Sequence, residues 1–199
     1  VTLHLREDRR HIKDKDFFNI KKINKIKINL EIAATKKMLN IAIKHKPNFI
    51  CIVPEKRKEI TTEGGLNLYK NKKYLNHFLN KLNKKKIRTS LFINPKISDV
   101  KLSKEIDTKC IEIHTGKISN KIKNKMNYKK ELIDIINCAK YAKSIGLKVH
   151  AGHGMDYKTT KILSRLKEIE EFNIGHFIIG ESSLFGLKKV IMTFKKIMK

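Results

Sequence analysis

KINLEIA (27–33) is apolar at every second position and carries a carboxylate in the alternate set. Read as a β-strand, it turns Ile28, Leu30 and Ile32 to one face and Asn29 and Glu31 to the other. Burying a carboxylate costs on the order of several kcal/mol unless it is paired or protonated. Glu31 is therefore either half of a salt bridge, to Lys27 or a neighbouring strand, or an acid with a raised pKa, fit for proton transfer near neutral pH. The same design recurs in VTLHLR (1–6) with His4 and Arg6, in CIEIHT (110–115) with Glu112 and His114, and in KVHAGH (148–153) with His150 and His153.

Three further apolar runs, NFICIVP (48–54), RTSLFIN (88–94) and EEFNIG (170–175), bring the predicted strands to seven. Helical spacing fills the intervals near 15–25, 35–46, 70–86, 97–106, 121–145, 157–168 and 184–199. Strands that alternate with helices build a parallel sheet. An open doubly wound sheet and a closed barrel both satisfy that rule. Polar residues gathered on one face near the C-terminal strand ends favour an α/β fold of the TIM-type (β/α)8 barrel class, whose inward face leads to the mouth where active sites are built. Seven strands, and a start on a strand without Met, lead us to expect seven of the eight βα units. The N-terminal unit would lie upstream of a single truncated barrel domain over 1–199.

The formal net charge is +27, from 46 Lys and Arg against 19 Asp and Glu. Only Arg6, Arg9, Arg10, Arg57, Arg88 and Arg165 are arginines; the rest is Lys, scattered among Asn and Ile. That profile fits A/T-rich codon usage better than a nucleic-acid interface, where planar Arg is the preferred reader of phosphates and bases. A Lys-rich nucleic-acid-binding protein is the alternative of a different class; a salt-sensitive, sequence-indifferent affinity would reveal it. A degenerate, non-catalytic barrel is a third reading. Cys51, Cys110 and Cys138 are odd in number and far apart, which points to a reducing cytoplasm without disulfides. No apolar run approaches about 18 residues, so no membrane span is expected.

Two segments interrupt the βα rhythm. PEKRKEITTEGGLNLYKN (54–71) is polar, long and contains Gly64 and Gly65; it suits a lid or a plain surface loop. NIGHFIIGESSLFGL (173–187) opens an apolar helix on a Gly-His pair, an arrangement that offers backbone N–H groups to a phosphate. In VHAGHGMDY (149–157), His153 lies between Gly152 and Gly154, where small neighbours leave its ring accessible. His4, His114, His150 and His153 are metal-capable in type, but no HxH or HExxH pairs two of them, and no metal is expected. Walker, GxGxxG and Ser-His-Asp signatures are absent, which argues against NTP hydrolysis and dinucleotide redox chemistry.

Taken in order, HLREDRRHI (4–12), NLEIAAT (29–35), VPEKRKEITTEGGL (53–66), SLFINP (90–95), IEIHTG (111–116), AGHGMDY (151–157) and NIGHFIIG (173–180) resemble the pyridoxine 5′-phosphate synthase family over essentially the whole chain. The resemblance implies a (β/α)8 enzyme of vitamin B6 biosynthesis that condenses 1-deoxy-D-xylulose 5-phosphate with 3-amino-2-oxopropyl phosphate, releasing phosphate and water. It implies a cytoplasmic homo-oligomer, an octamer, with no cofactor and no metal. By the same resemblance His4 is the first proton acceptor, Glu31 the second, His153 the proton donor and Glu112 a stabiliser of the transition state. Arg6, His11 and Thr61 resemble the deoxyxylulose phosphate site; Gly154, Gly175 and His176 resemble the aminoacetone phosphate site. The chain departs from the pattern at its start. The family's first strand bears an Asn and an Asp-His pair, and its following loop an Arg, none of which these residues include. The 199 residues alone are thus expected to be inactive or very weak.

Overall fold

The computed structural model describes residues 1–23, 25–55 and 64–199. Seven strands form one sheet in the order β1-β2-β3-β4-β5-β6-β7. They are β1 (Thr2–His4), β2 (Asn29–Ala33), β3 (Phe49–Val53), β4 (Arg88–Ile93), β5 (Cys110–His114), β6 (Lys148–Gly152) and β7 (Ile169–Asn173). The pairs β1–β2, β2–β3, β3–β4 and β6–β7 are parallel. A doubly wound sheet reverses its strand order at a switch point; this one never does, and its winding is that of the TIM class.

The chain divides into two compact units, Val1–Asn94 with Ser98–Glu112, and Pro95–Ile97 with Ile113–Lys199. In the first, α1 (Asp14–Lys21), α2 (Lys36–His45), α3 (Leu68–Asn83) and α4 (Ile97–Glu105) intervene between strands. Helix α1 begins where the Asp16 carboxylate accepts the Lys13 backbone N–H at 2.9 Å, with Asp14 and Asp16 complementing the positive end of the helix. Its Phe17 is fully buried, with the His45 ring of α2 edge-on at 6.0 Å. Thr35 caps α2 by accepting the Met38 N–H.

The second unit holds α5 (Gly116–Lys123), α6 (Lys129–Ser144), α7 (Tyr157–Leu163), α8 (His176–Phe185) and α9 (Leu187–Ile197). Rings of Tyr157, Phe177 and Phe194, with centroids 4.7 to 6.0 Å apart, tie α7, α8 and α9 together.

One turn design delivers helices into strands. After α3, α4 and α6 a residue in the left-handed region (Lys86, Asp107 and Gly146) is followed by an N–H that bonds five residues back: Ile87 to Leu82, Thr108 to Ser103, Leu147 to Ala142. Orphan carbonyls at each helix end are thereby satisfied and the next strand begins within a few residues. The same motif corrects the single helix expected over 121–145. Lys125 at φ 54° and the Met126 N–H bond to Lys121 close α5, and α6 starts afresh at Lys129. The helix expected over 184–199 begins at Leu187, parted at Gly186 from α8, the apolar helix that the Gly-His pair opens.

Gly64 and Gly65, expected in a lid or surface loop, are described only from Gly64 onward, since 56–63 fall outside the described residues. Gly65 is anchored: its N–H donates to Asn94 Oδ1 at 2.9 Å, and a Cβ there would lie 2.3 Å from the Asn94 nitrogen.

Phe17→Ala should destabilise the fold by about 3–5 kcal/mol, seen as a lower denaturant midpoint with an unchanged slope. A shift under about 1 kcal/mol would show that the α1–α2 contact is not part of the core.

Candidate functional site

Register builds the first unit's site. His4 pairs with Glu31, Glu31 with Cys51, and Cys51 with Ser90, so four residues from four strands lie in one row across the sheet. Side chains of one row share a face. His4 Nδ1 lies 3.8 Å from Glu31 Oε2, and the buried Cys51 Sγ donates to Glu112 Oε2 at 3.6 Å. Cys51, Val53 and Phe92 form a buried apolar cluster on the same strands. Glu112 is 2% exposed.

The electrostatics follow from that burial. The Glu31 carboxyl is pushed up to about 7 by loss of hydration. His4 moves the opposite way, down to about 4, chiefly through burial and then through Arg6; both shifts favour the neutral form. The Cys51 thiol is driven well above its ordinary range by burial and then by Glu112 and Glu31, which leaves it a packed, inert S–H. Glu31 thus titrates where a proton-transfer group is useful, and its partner across the strand is a neutral imidazole.

Arg6 is buried, its Nε 3.4 Å from Asp8 Oδ1. His11 is exposed but close enough to act electrostatically on His4. Thr61 lies outside the described residues. Glu55, just past β3, was not singled out in the sequence: its Oε2 is 3.5 Å from His4 Nε2. Only its place two residues past the end of an apolar strand, at the position where a barrel builds its mouth, could have flagged it.

The second unit carries a histidine pair. The His114 and His153 rings lie with centroids 4.9 Å apart and planes tilted by 35°. Burial, and then His153, lower His114 to about 4. His153 sits at φ 82° and Gly154 at φ 71°; for a histidine the left-handed region is strained, and such strain persists only where neighbours enforce it. Thr115 does so. Its N–H bonds the Gly152 carbonyl at 2.9 Å, and its buried hydroxyl contacts the carbonyls of Gly152 and His153 at 2.8 and 2.7 Å. Gly116 makes room for the rings, since a Cβ there would lie 2.8 Å from His114 Nε2 and 2.9 Å from His153 Cδ2. Neither Thr115 nor Gly116 stood out in the sequence, because their work is to shape a neighbour. Gly175 caps α8 and His176 opens it, as expected of the Gly-His pair, and a side chain at Gly175 would meet nothing within 4 Å. His150 is buried, 3.6 Å from Glu171.

A family model described as "Pyridoxal phosphate biosynthesis protein PdxJ" matches residues 1–199. The chain is 61% identical to the pyridoxine 5′-phosphate synthase of Pelagibacter ubique (strain HTCC1062) over 197 residues, which is 99% of this chain and 82% of that protein. It is 47% identical to the pyridoxine 5′-phosphate synthase of Sulfurihydrogenibium sp. (strain YO3AOP1) over 200 residues, again 99% and 82%. The tryptophan synthase A-subunit from the hyperthermophile Pyrococcus furiosus superposes with a TM-score of 0.58 at 15% identity, covering 95% of this chain and 74% of that one. At that identity the likeness concerns the fold alone, and the fold is TIM-type.

Because Glu31 rises from 4.5 to about 7 on folding, the folded state binds more protons than the unfolded chain between those values, and stability falls as pH rises through the window. His4 acts with opposite sign: lowered from 6.5 to about 4, it contributes stability that is present above 6.5 and lost as pH falls toward 4. Glu31→Gln should remove the falling contribution and make stability at pH 8 exceed that of the unaltered protein. Urea unfolding at pH 4 to 8 measures this; an identical pH dependence in both proteins would refute the assignment.

Proposed function

The chain belongs to the PdxJ family of pyridoxal phosphate biosynthesis proteins, and from that membership we propose that it carries out the pyridoxine 5′-phosphate synthase reaction. In this reading it condenses 1-deoxy-D-xylulose 5-phosphate with 3-amino-2-oxopropyl phosphate and releases inorganic phosphate and water. The observation that carries the chemistry is the pairing of His4 with Glu31 across adjacent strands, a neutral imidazole beside a carboxyl that titrates near 7. Schiff-base formation, dehydration and ring closure each move protons at different atoms, so several groups of separated pKa serve better than one nucleophile.

In the proposed division of labour, His4 and Glu31 accept protons, His153 donates one, and Glu112 stabilises charge in the transition state. Arg6, His11 and Thr61 take the phosphate of the deoxyxylulose substrate, Arg6 through charge-assisted hydrogen bonds. Gly154, Gly175 and His176 take the other phosphate. Helix α8 supports this assignment, because Ile179 is the first residue whose N–H bonds back to Gly175, leaving the preceding N–H groups of the first turn for an anion. The proposal extends to one barrel domain acting in the cytoplasm as a homo-oligomer, an octamer by family resemblance, without cofactor or metal. Among the described residues no helix is long and apolar enough to cross a membrane. The scattered Lys give the nucleic-acid reading no focus.

The test is an assay of the complete gene product with both substrates, following pyridoxine 5′-phosphate by fluorescence and phosphate by release. Turnover is expected, with Glu31→Gln and His153→Asn each lowering kcat on the order of 10²-fold or more. Absence of product from the folded protein, or variants that turn over normally, would overturn the reading.

A further inference from the structure

Glu55 has no part in the roles assigned above, yet it faces the outer nitrogen of His4. Its side chain is 4% exposed and its Oε2 lies 3.5 Å from His4 Nε2. Among the described residues both atoms are buried and neither has another hydrogen-bond partner. Buried polar atoms are almost always satisfied, so two that face one another across 3.5 Å are a pair in waiting. Hydrogen bonds of catalytic groups are often long in the unliganded state and tighten on binding.

The carboxylate is aimed, not merely present. Glu55 Oε1 accepts the Glu7 backbone N–H at 2.9 Å. The Glu7 side chain accepts in turn from Thr35 Oγ1 at 2.9 Å, and Thr35 is the cap of α2. Pro54, one residue earlier, holds Val53 in extended backbone as the chain leaves β3. A line of fixed contacts therefore runs from the N-terminus of α2 through Glu7 and Glu55 to His4, and ends at Glu31 on the imidazole's other side, 3.8 Å from Nδ1.

We propose that Glu55 is a positioning residue for His4: by accepting the Nε2 proton it fixes the imidazole tautomer and turns the Nδ1 lone pair toward Glu31. A neutral imidazole has one donor and one acceptor nitrogen, and the hydrogen bond at one decides the chemistry of the other. With Nε2–H held by Glu55, Nδ1 is the nitrogen left to accept a proton, and Glu31 Oε2 lies 3.8 Å from it. When His4 accepts a proton, as the proposed roles have it, Nδ1–H forms as the donor's bond to hydrogen breaks, and the imidazolium lies between the Glu31 and Glu55 side chains. Burial raises both carboxyls, Glu31 to about 7 and Glu55 in the same direction, the Glu55 rise being opposed in part by the Glu7 N–H and Arg6. The inference rests on the proposed roles of His4 and Glu31 in the synthase reaction, but its principal readout does not.

The experiment is 15N NMR of the His4 imidazole in the complete gene product, with steady-state kinetics beside it. The unaltered protein should show Nε2–H. Glu55→Ala should lose that preference and lower kcat tenfold or more with KM little changed, whereas Glu55→Gln, which keeps an acceptor oxygen, should retain the tautomer and recover most of kcat. Should Glu55→Ala fail to fold, Glu55→Gln still decides: loss of the negative charge should lower the His4 pKa further, with Arg6, Asp8, His11 and Glu31 unchanged around it. An Nδ1–H tautomer in the unaltered protein, a tautomer indifferent to Glu55→Ala, or a His4 pKa unmoved in Glu55→Gln would overturn the proposal. Failure of the unaltered enzyme to make product would count against the synthase reading alone, since the tautomer is read without turnover.

Discussion

The parallel register of the first four strands is the constraint on which the rest depends. Backbone hydrogen bonding places His4 opposite Glu31, Glu31 opposite Cys51 and Cys51 opposite Ser90. A slip of one residue in β2 would put Leu30 or Ile32 beside His4 and turn Glu31 to the opposite face. Everything chemical in this unit descends from that row: the proximity of acid and base, the desolvation by Cys51, Val53 and Phe92, and the opposite pKa shifts of Glu31 and His4. Leu30 paired with Ile50, Ile32 with Ile52 and Ile52 with Leu91, all fully buried on the alternate face, hold the register against a slip.

The second unit solves a related problem with backbone geometry. His153 occupies a left-handed conformation that a histidine resists, and the hydrogen bonds from Thr115 hold the loop in it. Gly116 supplies the space in which two imidazole rings can lie side by side. Burial, and then the neighbouring His153 ring, hold His114 down to about 4, so it stays neutral over the physiological range. The strain is local, and a hydroxyl and a missing side chain offset it.

The sheet was largely legible in the sequence because each strand announces itself by alternation: six of the seven predicted runs contain an observed strand, and the seventh, 170–175, overlaps β7. Catalytic candidates were legible for the same reason: Glu31 and Glu112 interrupt apolar faces, and His153 stands between glycines. What stayed hidden acts through backbone shape. Lys125 adopts a left-handed turn that a lysine does not announce, which is why the single helix expected over 121–145 is in fact the end of α5 and then α6. Thr115, Gly116 and Glu55 stayed hidden too, since each works by orienting another side chain and its partner is distant in sequence or fixed only by the fold. Thr61 falls outside the described residues, so its place in the site rests on resemblance.

A direct test of the account's foundation is the pattern of cross-strand amide-to-Hα nuclear Overhauser contacts in the isotopically labelled gene product. Contacts are predicted in the register that pairs His4 with Glu31 and Glu31 with Cys51. Contacts offset by one residue, setting His4 against Leu30 or Ile32, would dissolve the row and with it the proton-transfer site.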